Sequence, residues 1–289
     1  MAIDLLIGGV LALIMFSIGL SLEKAHFKAI ARQPKVIVLG LFLQMALLPA
    51  MGFTVALATD LPAAWKAGII IIAISPGGAT SNFISHLVNA DVALSIALTS
   101  LNSILILVTI PLFAQLTMQL FMAASGEGYP ISLADASLQV LLVVLLPALL
   151  GALVNDRFGG LSKQGQQWLK ATNTLLLAIV FGTKFFASES QGGSGLTIEE
   201  LRLLLWPCLF LHLLSMLMGY GAARIFKFPS SQSVTLGIEV GLQNTTLALL
   251  VAGTLLNINE MTKPALVYAT FSFFTTLAFA AIVTYALPD

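Results

Sequence analysis

Charged side chains and cysteine are both scarce in this sequence. Asp, Glu, Lys and Arg make up 9% of the 289 residues, against about a quarter in a typical soluble domain, whereas 58% of the residues are hydrophobic. The single cysteine, Cys208, excludes a disulfide within the chain and a zinc site built from several cysteines. The formal net charge is zero and no long basic run occurs, which argues against nucleic acid as a partner. Composition therefore predicts an integral membrane protein whose partner is the lipid bilayer.

The sequence also lacks the short motifs that carry catalysis. It has no GxSxG, no HExxH, no P-loop and no GxGxxG between a strand and a helix. No pair of aspartates lies inside the apolar runs, as intramembrane proteolysis would need. We therefore do not expect an enzyme, and we expect no organic cofactor.

Apolar runs of about 20 residues, the length that crosses a bilayer as a helix, recur along the sequence. We predict nine spans, at about 3–22, 36–58, 64–88, 92–113, 134–154, 169–188, 200–223, 231–255 and 264–287. The first is interpreted as a retained span rather than a signal peptide, because Asp4 stands where a leader would be basic. The predicted class is an all-α polytopic membrane protein with one domain over residues 1–289.

The positions of Lys and Arg predict the orientation of these spans, because basic residues of short loops stay on the cytoplasmic side. If the N-terminus lies outside, most basic residues fall in inner loops, namely Lys24, Lys28, Arg32, Lys35, Arg157, Lys163, Lys170, Arg224 and Lys227. The outer side then holds Lys66, Lys184, Arg202 and Lys263. We expect an outer N-terminus and a cytoplasmic C-terminus in the cell (inner) membrane.

The third span is interrupted by a sequence that no straight helix accommodates, Ser75-Pro76-Gly77-Gly78-Ala79-Thr80-Ser81-Asn82. Pro76 lacks a backbone N–H and clashes with the preceding turn, and two glycines follow it. Backbone groups freed at membrane depth persist only where they face protein or a wet cavity. The break therefore predicts a polar binding site.

The eighth span contains a second break, within Gly237-Ile238-Glu239-Val240-Gly241-Leu242-Gln243-Asn244-Thr245-Thr246. Four spans separate the two broken spans, so they cross the membrane in opposite directions. Opposed, interrupted helices in corresponding positions of two halves indicate an inverted-repeat transporter with its site near the midplane. Gly237 and Gly241 also form a GxxxG pair, which is typical of close helix packing.

Glu239 is the one acidic residue that lies well inside a predicted span. A carboxylate at that depth costs at least about 2.5 to 3.5 kcal/mol on insertion scales, which makes it a functional hypothesis by default. No Lys, Arg or His lies between Lys227 and Lys263, so its own span offers no counter-charge. A mobile cation or a proton is the simplest compensation. The alternative is a protonated glutamic acid that is hydrogen-bonded between helices.

Further polar side chains lie inside the second and fourth spans. Ser95, Thr99 and Asn102 follow i, i+4, i+7 spacing, which places them on one face of a helix. Such hydroxyls commonly bond their own backbone, and a lone glutamine such as Gln44 often bonds a neighbouring helix. Together with the two breaks, however, they supply the hydroxyl, amide, carboxylate and carbonyl oxygens of a sodium site. His86 and His212 could relay protons, although a lone histidine is more often a satisfied core residue.

The two broken segments, with Phe16-Ser17-Ile18-Gly19-Leu20 and Pro34-Lys35, resemble the bile acid:sodium symporter family over essentially the whole chain. The resemblance implies ten helices in an inverted repeat, of which this chain lacks a counterpart to the first. It implies two crossed discontinuous helices and a core domain that moves against a panel domain. The panel would hold the spans at about 3–22, 134–154 and 169–188, and the core would hold about 36–113 and 200–287.

The resemblance also implies two sodium ions and an organic anion as ligands. The first sodium site would be formed by Ser81, Asn82, Ser95, Thr99 and Glu239. The second would be formed by Gln44, Glu239, Val240, Leu242 and Gln243, with the backbone carbonyls of the two apolar residues. The substrate cavity would include Ala79, Thr80 and Asn244. Relatives often read Gly-Gly-Thr-Ala-Ser-Asn here, so the threonine hydroxyl is displaced by one residue, about 100° around a helix.

The function that these features favour is sodium-coupled symport, in which sodium entry drives import of a bile acid-like anion or a small carboxylate. Two alternatives stay open. One is a proton-coupled organic anion carrier or exporter of the same architecture, with Glu239 as the proton site. The other is a membrane sensor that binds a ligand in the same cavity without transporting it.

Overall fold

The structure, a computed structural model, describes residues 2–20, 33–122, 138, 142, 146–158, 162–187 and 193–286. The regular structure of these residues is helical, without strands, which confirms the predicted all-α class. The helices are α1 (Ala2–Leu20), α2 (Pro34–Leu57), α3 (Ala63–Ala73), α4 (Ala79–Leu87), α5 (Val92–Thr117), α6 (Leu146–Phe158), α7 (Lys163–Phe186), α8 (Ile198–Ile225), α9 (Ser230–Gly241), α10 (Thr245–Leu250) and α11 (Lys263–Ala286).

Five helical segments of the described chain are long and apolar enough to cross a membrane. They are Pro34–Leu57, Gln167–Phe186, Ile198–Ile225, Ser230–Leu255 and Asn259–Tyr285. The bent pair Val92–Ile106 and Val108–Met122 makes a sixth if it counts as one span. Much of the predicted span 134–154 lies outside the described residues, so the number nine stays a prediction.

Helix α2 contains a π-helical turn at Leu43–Leu47 that carries Gln44. Pro49 lies two residues beyond this turn. A proline inside a helix removes one backbone hydrogen bond and clashes with the carbonyl four residues earlier, here that of Met45. The wider π turn accommodates this clash. Such turns are frequent at functional sites, and this one places the Gln44 amide inside the protein, 1% exposed.

The two predicted breaks are present but shorter than the sequence patterns suggested. Helix α3 ends at Ala73 and α4 begins at Ala79, so Thr80, Ser81 and Asn82 are already helical. Helix α9 ends at Gly241 and α10 begins at Thr245, which leaves a non-helical segment of Leu242, Gln243 and Asn244. The helix resumes directly after the glycine pair, because the residues that follow, Ala79 and Thr80, have no strong preference against helix.

Close packing of α8 against α9 depends on glycine. A Cβ on Gly219 of α8 would meet the Leu236 carbonyl of α9, and a Cβ on Gly241 would meet the Met216 side chain of α8. Gly237 likewise faces α8 and lies beside Phe279 of α11. The GxxxG pair of α9 therefore has the packing role that its spacing predicted, and it allows α9 to be buried along most of its length.

Candidate cation site at the crossing of two broken helices

The two breaks touch each other inside the molecule. The backbone N–H of Asn244 donates to the backbone carbonyl of Ser75 over 2.9 Å, which joins the second break to the first. A Cβ built on Gly77 would lie 2.7 Å from the Leu242 carbonyl oxygen. Only a glycine permits this approach of two backbones. The crossing therefore brings the end of α9 and the start of α4 to one point.

Glu239 lies in the last turn of α9 and is fully buried. Its carboxylate accepts a hydrogen bond from the Ser95 hydroxyl over 2.5 Å and one from the Thr99 hydroxyl over 3.2 Å. Both hydroxyls belong to the polar face of α5 that the sequence predicted. The Ser81 hydroxyl of α4 also lies against the carboxylate, and it donates to the Gly78 carbonyl over 2.7 Å.

This cluster contains more hydrogen-bond acceptor oxygens than hydroxyl protons to donate to them. Ser95 Oγ lies 2.7 Å from Asn82 Oδ1 as well as 2.5 Å from the carboxylate, and Thr99 Oγ1 lies 3.3 Å from the same amide oxygen. A hydroxyl carries one proton, so neither side chain donates to both neighbours. Among the described residues, no basic side chain forms an ion pair with Glu239. Such a cluster is an environment that a hard cation stabilises.

A second group of predicted residues lies on the other side of Glu239. The Gln44 amide nitrogen donates to the Glu239 backbone carbonyl over 2.6 Å, and the Gln243 amide nitrogen donates to the Val240 carbonyl over 2.6 Å. The Gln243 side-chain oxygen is buried and has no hydrogen-bond partner. A buried, unsatisfied oxygen beside backbone carbonyls fits a cation ligand, because burial without a partner is otherwise costly. The Leu242 carbonyl completes this group at the crossing.

The predicted cavity residues are less closely associated. Asn244 begins α10 as its N-cap, and its side-chain oxygen accepts from the Leu247 amide over 3.0 Å. Thr80 is exposed in the first turn of α4, next to the buried Ser81. The side chain of Ala79 lies outside the described residues. The structure therefore brings the other eight residues of the two sodium sets around Glu239, but it does not bring these three cavity residues into one contact group.

Sequence reasoning missed the group that holds the end of α9. The Tyr268 hydroxyl of α11 donates to the Gly241 carbonyl over 2.5 Å, and His212 Nδ1 lies 3.1 Å from the same oxygen. His212 Nε2 lies 2.7 Å from Thr275 Oγ1, so the histidine links α8, α9 and α11. His212 thus has the core role expected of a lone buried histidine. The available signal for Tyr268 was a tyrosine inside an apolar span, because a buried hydroxyl usually finds a hydrogen-bond partner.

Oxygen ligands are the chemistry that this site offers. Within the described ranges, no three His, Cys, Asp or Glu side chains gather as a transition-metal site would require. The side chains around Glu239 are hydroxyls and amides, which suit an alkali cation.

Comparison with known proteins identifies the family of this chain. The Sodium Bile acid symporter family matches residues 9–189, more than half of the chain. The chain belongs to this family. Members of the sodium bile acid symporter family are transporters rather than enzymes, which confirms that part of the sequence interpretation. Family membership and the apolar helices also make the chain an integral membrane protein.

Some individual relatives have names that describe sodium-dependent transport. "Uncharacterized sodium-dependent transporter YocS" of Bacillus subtilis (strain 168) is 30% identical over 82% of this chain and 70% of its own length. "Probable sodium/metabolite cotransporter BASS2, chloroplastic" of Oryza sativa subsp. japonica is 29% identical over 84% of this chain. "P3 protein" of Homo sapiens is 31% identical over 81% of it. The chain spans about half the length of the latter two, 55% and 47%.

Proposed function

We propose that this protein is a secondary symporter in which sodium entry drives import of an organic anion by alternating access. The observation that carries the proposal is the oxygen-rich, proton-poor cluster around the buried Glu239 at the crossing of two broken helices. A sodium ion supplies the positive charge that no side chain among the described residues provides to Glu239. The relatives named as sodium-dependent transporter and sodium/metabolite cotransporter support the same reading.

Two sodium ions are transported in this proposal, one on each side of Glu239. The first is bound by Ser81, Asn82, Ser95, Thr99 and the Glu239 carboxylate. The second is bound by Gln44, Gln243, the carboxylate and backbone carbonyl of Glu239, and the backbone carbonyls of Val240 and Leu242. Glu239 belongs to both sets, and the backbone hydrogen bond from Asn244 to Ser75 joins the two breaks. Binding of either ion therefore affects the order of both breaks.

The anion binds beside the crossing, near Ala79, Thr80 and Asn244. Because the same breaks carry the sodium ligands and the cavity residues, each ligand raises the affinity for the other by reciprocal linkage. We infer that α1, α6 and α7 form the panel and the remaining helices form the core that moves against it. The N-terminus lies outside and the C-terminus in the cytoplasm in this arrangement.

Transport measurements test this function. The protein is reconstituted into proteoliposomes, and uptake of a radiolabelled bile acid or of a small carboxylate such as pyruvate is measured under an inward sodium gradient. We expect accumulation that stops when potassium replaces sodium at the same ionic strength. Equal uptake in potassium would reject sodium coupling.

The Thr80 hydroxyl provides a separate test of where the anion binds. We expect Thr80→Val to reduce anion uptake about tenfold, since loss of one hydrogen bond to a charged group has roughly that effect. Sodium-dependent thermal stabilisation stays unchanged, because Thr80 is exposed and belongs to neither sodium set. The matched control is Thr270→Val, an exposed threonine of α11. Normal uptake by Thr80→Val would remove this residue from the cavity.

Proton coupling is a second candidate, favoured by the same shortage of protons. A protonated Glu239 would give the Ser95 and Asn82 oxygens the hydrogen that they lack. Uptake driven by a pH gradient in the absence of sodium would select this mechanism. Tight anion binding without flux would instead select a sensor.

A further inference from the structure

Asn102 belongs to neither proposed sodium set, yet its side chain touches one of them. It lies on α5, seven residues beyond Ser95, and is 1% exposed. Its amide nitrogen donates to the side-chain oxygen of Gln44. Its own side-chain oxygen is buried and has no hydrogen-bond partner. A buried amide with one end paired and the other unsatisfied calls for a specific explanation.

The contact with Asn102 determines which end of the Gln44 amide faces the second sodium set. Because the Gln44 oxygen accepts from Asn102, its nitrogen points the other way and donates to the Glu239 carbonyl over 2.6 Å. That carbonyl is one of the oxygens that the second ion would use. In this orientation an N–H group, not a cation, satisfies it.

We propose that Asn102 positions Gln44 for sodium binding by allowing the two amides to turn over together. The two ends of an amide have nearly the same shape, so turning requires no extra space. After the turn, the Gln44 nitrogen donates to the unsatisfied Asn102 oxygen. The Gln44 oxygen then faces the Glu239 carbonyl, and two such oxygens repel unless a cation lies between them. This inference rests on the proposed second sodium site.

Gln243 offers an informative contrast within the same set. Its side-chain nitrogen also donates to a backbone carbonyl, that of Val240, but its side-chain oxygen has no hydrogen-bond partner. Gln243 therefore breaks no side-chain pairing when it turns its oxygen inward. Gln44 must break its hydrogen bond with Asn102 when it turns. The affinity for the second ion therefore depends on whether the side chain at position 102 can donate or accept a hydrogen bond.

Substitutions at Asn102 are expected to change sodium affinity in opposite directions. Asn102→Leu leaves the turned Gln44 nitrogen without an acceptor, and we expect the sodium concentration for half-maximal thermal stabilisation to rise about tenfold. Asn102→Asp accepts but, when ionised, cannot donate, so it favours the turned orientation and lowers that concentration. When Gln44 is also replaced by Met, Asn102→Leu should no longer change the half-maximal sodium concentration. Asn102→Asp should then change it only by the effect of the added negative charge.

The measurement is thermal unfolding of the purified full chain in detergent, with choline replacing sodium at constant ionic strength. Asn173→Leu, an asparagine of α7 whose oxygen lies 3.4 Å from Ser17, is the matched control and retains the normal response. If the unsubstituted protein shows no sodium response, the proposed function fails. If it responds, and the leucine and aspartate variants share its half-maximal concentration, only the role of Asn102 is overturned. Equal shifts with and without Gln44 would also overturn it.

Discussion

We expect Glu239→Gln to abolish the sodium-dependent thermal stabilisation of the purified protein. Binding to the folded state alone stabilises by about 2.7 kcal/mol at a sodium concentration 100 times the dissociation constant, and the variant should gain none of this. In sodium-free buffer the variant should be more stable than the parent by about 1 to 3 kcal/mol, because it removes a buried charge without an ionic partner. Differential scanning fluorimetry in sodium and in choline measures both effects.

The combination of the two effects is what identifies an ion site. A carboxylate with a merely structural role would lose stability on substitution, since Ser95 and Thr99 both donate to it. The control is Glu199→Gln, which changes an exposed carboxylate in the first turn of α8 and should keep the full sodium response. An unchanged half-maximal sodium concentration in Glu239→Gln would contradict the assignment.

Much of the fold follows from the length and depth of the apolar runs. The predicted spans 36–58, 200–223 and 264–287 agree with α2, α8 and α11 within a few residues, because an uninterrupted apolar run has one stable form in a bilayer. The end of α5 was placed too early, near residue 113. The helix continues to Thr117 and through a π turn at Met118–Met122, in which Met118, Phe121 and Met122 are buried in the main core. Tertiary packing, which a run length does not encode, sets this end.

Local sequence signals predicted some residues of the candidate site but not the contacts that join different helices there. Depth alone singled out Glu239, and i, i+4, i+7 spacing predicted that Ser95, Thr99 and Asn102 share a face. These signals are local, so a single sequence carries them. The Tyr268 hydroxyl on the Gly241 carbonyl joins residues of different helices, and no spacing rule reports that contact. The direction of the Gln44 amide in α2 depends on Asn102 of α5 and Glu239 of α9 at once, which is why only the structure suggests a role for Asn102.

Gly77→Ala is expected to have the largest effect on transport of any substitution in the first break. A methyl group there would lie 2.7 Å from the Leu242 carbonyl oxygen and 3.2 Å from the Ser81 hydroxyl. The Leu242 oxygen belongs to the backbone, so it cannot move aside as the end of a side chain could. We expect sodium-driven uptake to fall by about 100-fold, the effect that a misplacement of about 1 Å can have at an active site. Overpacking should also cost about 1 to 3 kcal/mol of stability.

The neighbouring glycine provides the control for this prediction. A Cβ on Gly78 would meet only the Asn244 side-chain amide, at 3.3 Å, and its φ of −133° lies outside the left-handed region that favours glycine. A side-chain end can move by a few tenths of an ångström, whereas Leu242 is held between the Asn244 bond to Ser75 and the Tyr268 bond to Gly241. Gly78→Ala should therefore retain most of the uptake. Equal losses in the two variants would mean that the glycine pair serves general flexibility, and normal uptake by Gly77→Ala would contradict the crossing as the place where sodium and anion are coupled.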